Sequence, residues 1–159
     1  MDIVNKVKQL LPRTENLNQL NLFKTKMSNI IYRRWPYSGL TVNLFGSAVN
    51  GLWSNKSDVD LCIFADRSGN YENMPTLARI LKDEGMKEVV PIVRAVIPIC
   101  KFTDPKTGFN CDISVNNRIP IYNSELIRCY MDLDARVRDI IMIVKEWAKR
   151  RGINNPKDH

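Results

Sequence analysis

The stretch NLFGSAVNGLWSNKSDVDLCIF, residues 43–64, puts Gly46-Ser47 at the end of one apolar run and Asp58 and Asp60 at the start of another. Side chains alternate across a β-strand. As a strand, DVDLCIF places Asp58 and Asp60 on one face and Val59, Leu61 and Ile63 on the opposite, apolar face. Like charges on one face repel, so the pattern calls for a compensating positive charge. A second stretch, FNCDISV, repeats the device: Phe109, Cys111, Ile113 and Val115 take the core face, and Asp112 projects with Asn110 and Ser114 from the other. If these two strands are neighbours, three carboxylates converge on the polar face of one sheet.

Arginine or lysine could neutralise such a cluster, but a hard divalent cation fits better. Magnesium prefers carboxylate oxygens and leaves positions open for substrate phosphates. Taken singly, each aspartate has a plainer reading: Asp58 capping a turn, Asp60 pairing with a lysine, Asp112 facing solvent. The D-x-D after Gly-Ser, with a third aspartate, favours the metal. A glycine at a strand end lets backbone approach a ligand closely. The amides of the next turn and the Ser47 hydroxyl can then grip phosphate oxygens. Lys145 and Lys149, four residues apart, share a helix face. They can meet a triphosphate as point charges, or form a solvated basic face with Arg150 and Arg151.

Periodicity sets the frame. Leu17, Leu20, Phe23, Met27, Ile30 and Ile31 predict an amphipathic helix over 15–34, ended by WPYSG. LTVNLF reads as a strand and SAVNGLW as a short helix or turn. Residues 73–86 read as a helix stopping near Gly85. VVPIVRAVIPICKF, interrupted by Pro91 and Pro98, gives one or two short strands, and TDPKTG is a turn. Helices are expected over 124–132 and from the Asp134 N-cap to Arg151, with Gly152 as the stop. The last helix carries an apolar stripe of Val137, Ile140, Ile141, Val144, Trp147 and Ala148. The fold class is mixed α/β.

The bulk numbers agree with one domain able to bury a core: 159 residues, 44% hydrophobic. A net charge of +7 points to an anionic partner, without localising a nucleic-acid track. Cys62, Cys100, Cys111 and Cys129 form no CxxC pair and His159 is the sole histidine, which argues against zinc. Reduced, intracellular thiols are the simpler expectation. The N-terminus lacks the apolar core of a signal peptide, and no run reaches membrane-spanning length.

FGSAVNGLWSNKSDVDLCIF resembles the signature of the polymerase-β-like nucleotidyltransferases. CDISVNNRIPIYNS and MIVKEWAKRRGINNP are similar to the RNA terminal nucleotidyltransferases, the terminal uridylyltransferases and cytoplasmic-type poly(A) polymerases, over about residues 15–156. The resemblance implies a mixed, about five-stranded sheet backed by helices. It implies a catalytic triad of Asp58, Asp60 and Asp112 that binds Mg2+ or Mn2+, with Asp112 helping to activate an acceptor 3′-hydroxyl. Gly46, Ser47, Lys145 and Lys149 would hold the triphosphate. Asn123 would contact the nucleotide ribose, with Ser124 beside it as a further nucleotide-binding residue. Pro120 departs from the smaller residue usual at its position.

The implied partners are an NTP, UTP or ATP, and an RNA 3′ end, with no membrane; the implied place is the cytoplasm, with the nucleus or the mitochondrion as alternatives. The alternatives are transfer to a nucleotide or small-molecule acceptor, or an inactive RNA-binding fragment. The domain expectation is a helical segment at 1–36, a catalytic domain at 37–121, and helices at 122–159 that begin a helical second domain. The base-stacking aromatic of the family follows INNP. On that expectation the chain is a catalytic domain cut from a longer protein, or a truncated gene product.

Overall fold

The computed structural model describes residues 3–54 and 57–153. Leu20, Phe23, Met27, Ile30 and Ile31 recur on one side of α2 (Thr14–Arg34), and all five are buried. That stripe and the apolar face of α4 (Met74–Asp83) pack against the same side of a sheet. Asn73 starts α4 by accepting the Thr76 amide at 2.9 Å, an N-cap as its residue type predicts. Gly85, with φ +81°, follows its end.

The sheet has five strands: β1 (Thr41–Phe45), β2 (Val59–Phe64), β3 (Lys87–Ile92), β4 (Ile99–Thr103) and β5 (Asn110–Val115). Their order is β1-β2-β5-β4-β3. Only β2 and β5 run parallel; the other pairs are antiparallel, so the sheet is mixed as expected. The alternation read from the sequence holds: Val59, Leu61, Ile63, Cys111 and Ile113 are buried among the helices. β2 begins at Val59, so Asp58 lies one residue before it. Pro91 sits within β3, which is tolerable because β3 is an edge strand and one ladder face needs no donor. A short α3 (Ser47–Asn50) follows β1, and α5 (Ile119–Leu133) packs against α3 and β1.

One expectation needs correction, and two features lie outside what the sequence pattern gives. The helix expected from residue 124 begins at Ile119, because Pro120 falls in its first turn, where a missing N–H costs nothing. A short helix, α1 (Ile3–Leu10), was not anticipated; it packs against α6 (Ala135–Arg151). The apolar stripe of α6 does not face the core: Ile140, Val144 and Trp147 are exposed, and Met142, on the other side with Lys145 and Lys149, is the buried residue of that helix. The start of α6 is as read, with Asp134 accepting the Arg136 amide at 2.8 Å, and so is its end, with Gly152 left-handed at φ 69°.

The TDPKTG turn is built around Asp104, which is 1% exposed. Its carboxylate takes hydrogen bonds from Lys26 Nζ at 2.7 Å, Thr107 Oγ1 at 2.7 Å and the Thr107 amide at 3.2 Å. Burial alone would raise its pKa, but Lys26 and Thr107 outweigh it and hold the carboxyl below its ordinary 3.8. Asp104→Asn leaves Lys26 without its charge partner. The expected loss is about 2–3 kcal/mol at neutral pH, measured by urea unfolding. The stabilisation is present above the ordinary carboxylate pKa and is lost as pH falls through the lowered one. The gap between mutant and wild type should therefore close below about pH 4.

Candidate active site

The parallel register sets Asp60 of β2 directly beside Asp112 of β5. Farther along the same face Cys62 and Ser114 are paired and fully covered, so the carboxylates mark its open end. Burial, then the charges of Asp112 and Asp58, push Asp60 from 3.8 up to about 6; Lys101 and Lys145 pull the other way. Asp60 therefore senses both of the other carboxylates.

Lys101 was missed in the sequence. It lies on β4 opposite Asp112, and its Nζ stands 2.5 Å from Asp112 Oδ2. The signal was the same period-two alternation that exposes Asp112: in ICKFT, Cys100 and Phe102 are buried and Lys101 points outward. Strand order supplies the rest, and strand order is not written in a single strand.

Gly46 closes the site from the β1 side. Its φ is 65° and its ψ −146°, a region held essentially by glycine. A Cβ there would lie 2.6 Å from Asp60 Oδ2. Ser47, half-buried, opens α3 immediately after it. On α6, Lys145 Nζ lies 3.5 Å from the Leu52 carbonyl oxygen. Desolvation and Lys149 lower the Lys145 pKa, while Asp60 and Asp58 counter them. Lys145 and Lys149 line a cleft of about 290 Å³ with Lys6, Ser54 and Ser57. Asn123 is exposed on α5, and Ser124 beside it is buried.

A hard divalent cation fits this donor set in kind: three carboxylates at one end of a sheet, with burial and mutual repulsion raising the pKa of the central one. Among the described residues no three His, Cys, Asp or Glu side chains close around a single point. Asp112 is engaged at Oδ2 by Lys101, which stands as local counter-charge. The buried thiols play no visible part; burial raises the pKa of Cys62, that of Cys100 to about 11, and that of Cys111 well above its ordinary value.

A mixed five-stranded sheet carrying aspartates on adjoining parallel strands, backed by helices on its apolar face, is the polymerase-β-like nucleotidyltransferase fold. Residues 1–132 match the family described as poly(A) RNA polymerase, mitochondrial-like, central palm domain. The chain belongs to that family. It is 34% identical over 145 residues to poly(A) RNA polymerase cid11 of Schizosaccharomyces pombe, covering 91% of this chain and 30% of that protein. With terminal uridylyltransferase cid1 of the same species it shares 41% over 120 residues, covering 70% of this chain and 29% of the other. A crystal structure of the Cid1 poly(U) polymerase with MgGTP bound superposes with a TM-score of 0.85 at 31% identity, over 97% of this chain and 49% of that one. The chain thus spans about a third of these curated relatives and half of the solved neighbour.

Proposed function

We propose that this chain is the nucleotide-adding part of an enzyme that transfers a nucleoside monophosphate, from UTP or ATP, to an RNA 3′ end without a template. The observation that carries the reading is the Asp60–Asp112 pair on parallel strands beside Gly46, with its raised carboxyl. The relatives' names, poly(A) RNA polymerase and terminal uridylyltransferase, support the reaction class. The neighbour solved with MgGTP supports a magnesium nucleotide.

In this reaction the acceptor 3′-oxygen bonds to the α-phosphorus, the bond from that phosphorus to the bridging oxygen breaks, and pyrophosphate leaves. Two Mg2+ or Mn2+ ions bound by Asp58, Asp60 and Asp112 would lower the pKa of the 3′-hydroxyl and neutralise charge on the phosphates. Asp112 orients the acceptor hydroxyl and takes part in drawing off its proton. Ser47, at the start of α3, donates its hydroxyl to a phosphate oxygen. Lys145 and Lys149 meet the charge of the β- and γ-phosphates. Asn123 reads the ribose. Catalysis by these residues is mostly positioning and charge neutralisation.

The same proposal assigns residues 37–121 to the catalytic domain, and 1–36 and 122–159 to a helical second domain. Its support is the exposed apolar faces of α5 and α6: Tyr122, Leu126, Tyr130, Ile140, Val144 and Trp147 all face outward. Cytoplasmic action is included, supported by four unpaired cysteines, three of them buried. No membrane enters it; among the described residues no helix is long and apolar enough to cross one.

The test is to incubate the full-length protein with a single-stranded RNA bearing a free 3′-hydroxyl, Mg2+ or Mn2+, and each NTP separately. Stepwise lengthening with UTP or ATP is expected. Modification of free ATP or a small-molecule alcohol, with the RNA untouched, would overturn the RNA assignment.

A further inference from the structure

Ser124 is the buried residue of α5, at 3% exposure, in a helix whose large apolar side chains face outward. Its hydroxyl makes two hydrogen bonds inside the protein, one as donor and one as acceptor. It donates its single proton to the Pro120 carbonyl at 2.6 Å and accepts the Gly46 amide at 2.7 Å. The first bond is the usual serine contact one helical turn back. The second crosses from α5 to the turn after β1, 78 residues away in the chain. It ends on the residue whose Cα has no room for a side chain beside Asp60. With its proton committed to Pro120, this hydroxyl has none to offer a ribose.

We propose that Ser124 is a positioning residue that acts through Gly46. It fixes the amide of a turn in a glycine-only conformation, and so holds Gly46-Ser47 against the Asp60 carboxylate. It also ties that turn to α5, where Asn123 is its neighbour. One hydroxyl thereby sets the spacing between the phosphate grip and the ribose contact. The inference rests on the reading of the site as a nucleotide site. It departs from the expectation that Ser124 itself touches the nucleotide.

Two measurements test it. In the nucleotide-free protein, hydrogen exchange at the Gly46 amide should be at least about tenfold faster in Ser124→Ala and near wild type in Ser124→Thr, which keeps the hydroxyl. In RNA extension with Mn2+, Ser124→Ala should lower kcat/KM about 10–100-fold. The loss should be equal with UTP and with 2′-deoxyUTP, and Ser124→Thr should restore it. Ser124→Cys replaces the alanine variant if the latter no longer melts cooperatively. Unchanged Gly46 exchange overturns the proposal. So does a loss seen with UTP and absent with the deoxynucleotide, which would mark a direct ribose contact. If wild type extends no RNA, the reading of the site fails, while the exchange result still decides whether Ser124 holds Gly46.

Discussion

Asp60→Asn should make the metal-free protein more stable while abolishing nucleotide transfer. Asp60 carries its charge against burial and two neighbouring carboxylates, with a pKa of about 6 in the fold against 3.8 unperturbed. The native state therefore holds the proton more tightly than the unfolded chain does. For this group, stability falls as pH rises from about 4 to 6, and the full cost is present above that. Asparagine keeps the shape and removes the charge. The expected gain at pH 7 is on the order of 2 kcal/mol, read by urea unfolding in EDTA, and it should vanish near pH 4. Activity should drop by about 10³-fold or more, as for loss of a group that meets reacting charge directly. Added Mn2+ should raise the melting temperature of wild type and leave that of the variant almost unmoved. A variant less stable than wild type in EDTA would mean that the carboxylate cluster is not strained.

Gly46→Ala should do the reverse, costing stability and activity together. A side chain at φ 65°, ψ −146° costs on the order of 1–3 kcal/mol. Its Cβ would also press on Asp60 Oδ2 at 2.6 Å, so the carboxylate or the turn has to move. The expected total is about 2–4 kcal/mol, with activity lowered at least about 100-fold, since small displacements at reacting groups are costly. Gly108→Ala is the control. Gly108 also has a left-handed φ, +74°, but its added Cβ meets nothing within 4 Å. It should lose about 1 kcal/mol and keep activity. Equal activity losses in the two variants would show that backbone strain, and not the approach to Asp60, is what Gly46 relieves.

Much of the sheet was legible because its signal is local. Alternation over DVDLCIF and FNCDISV assigned each residue to a face, and the burial of Val59, Leu61, Cys111 and Ile113 follows it. The helices α2 and α4 were legible for the same reason: each buries a stripe that recurs at helical spacing. Contacts between distant segments were not. Lys101 enters through strand order, and the Ser124–Gly46 bond joins residues that no local pattern relates. The early start of α5 was hidden because a proline reads as a break unless it stands in the first turn. The α6 stripe was read correctly as apolar, but periodicity gives a face and not what that face meets. The short α1, with Val7 buried, is held by packing on α6 more than by its own pattern.

The most direct test of the central claim couples the product to the carboxylates. Pyrophosphate release should equal nucleotide added to an RNA 3′-hydroxyl, one for one. It should fall to background with RNA ending in a 3′-deoxynucleotide and with Asp112→Asn on intact RNA. Stoichiometric extension surviving in Asp112→Asn, or pyrophosphate released at the full rate from the 3′-deoxy RNA, would contradict the account.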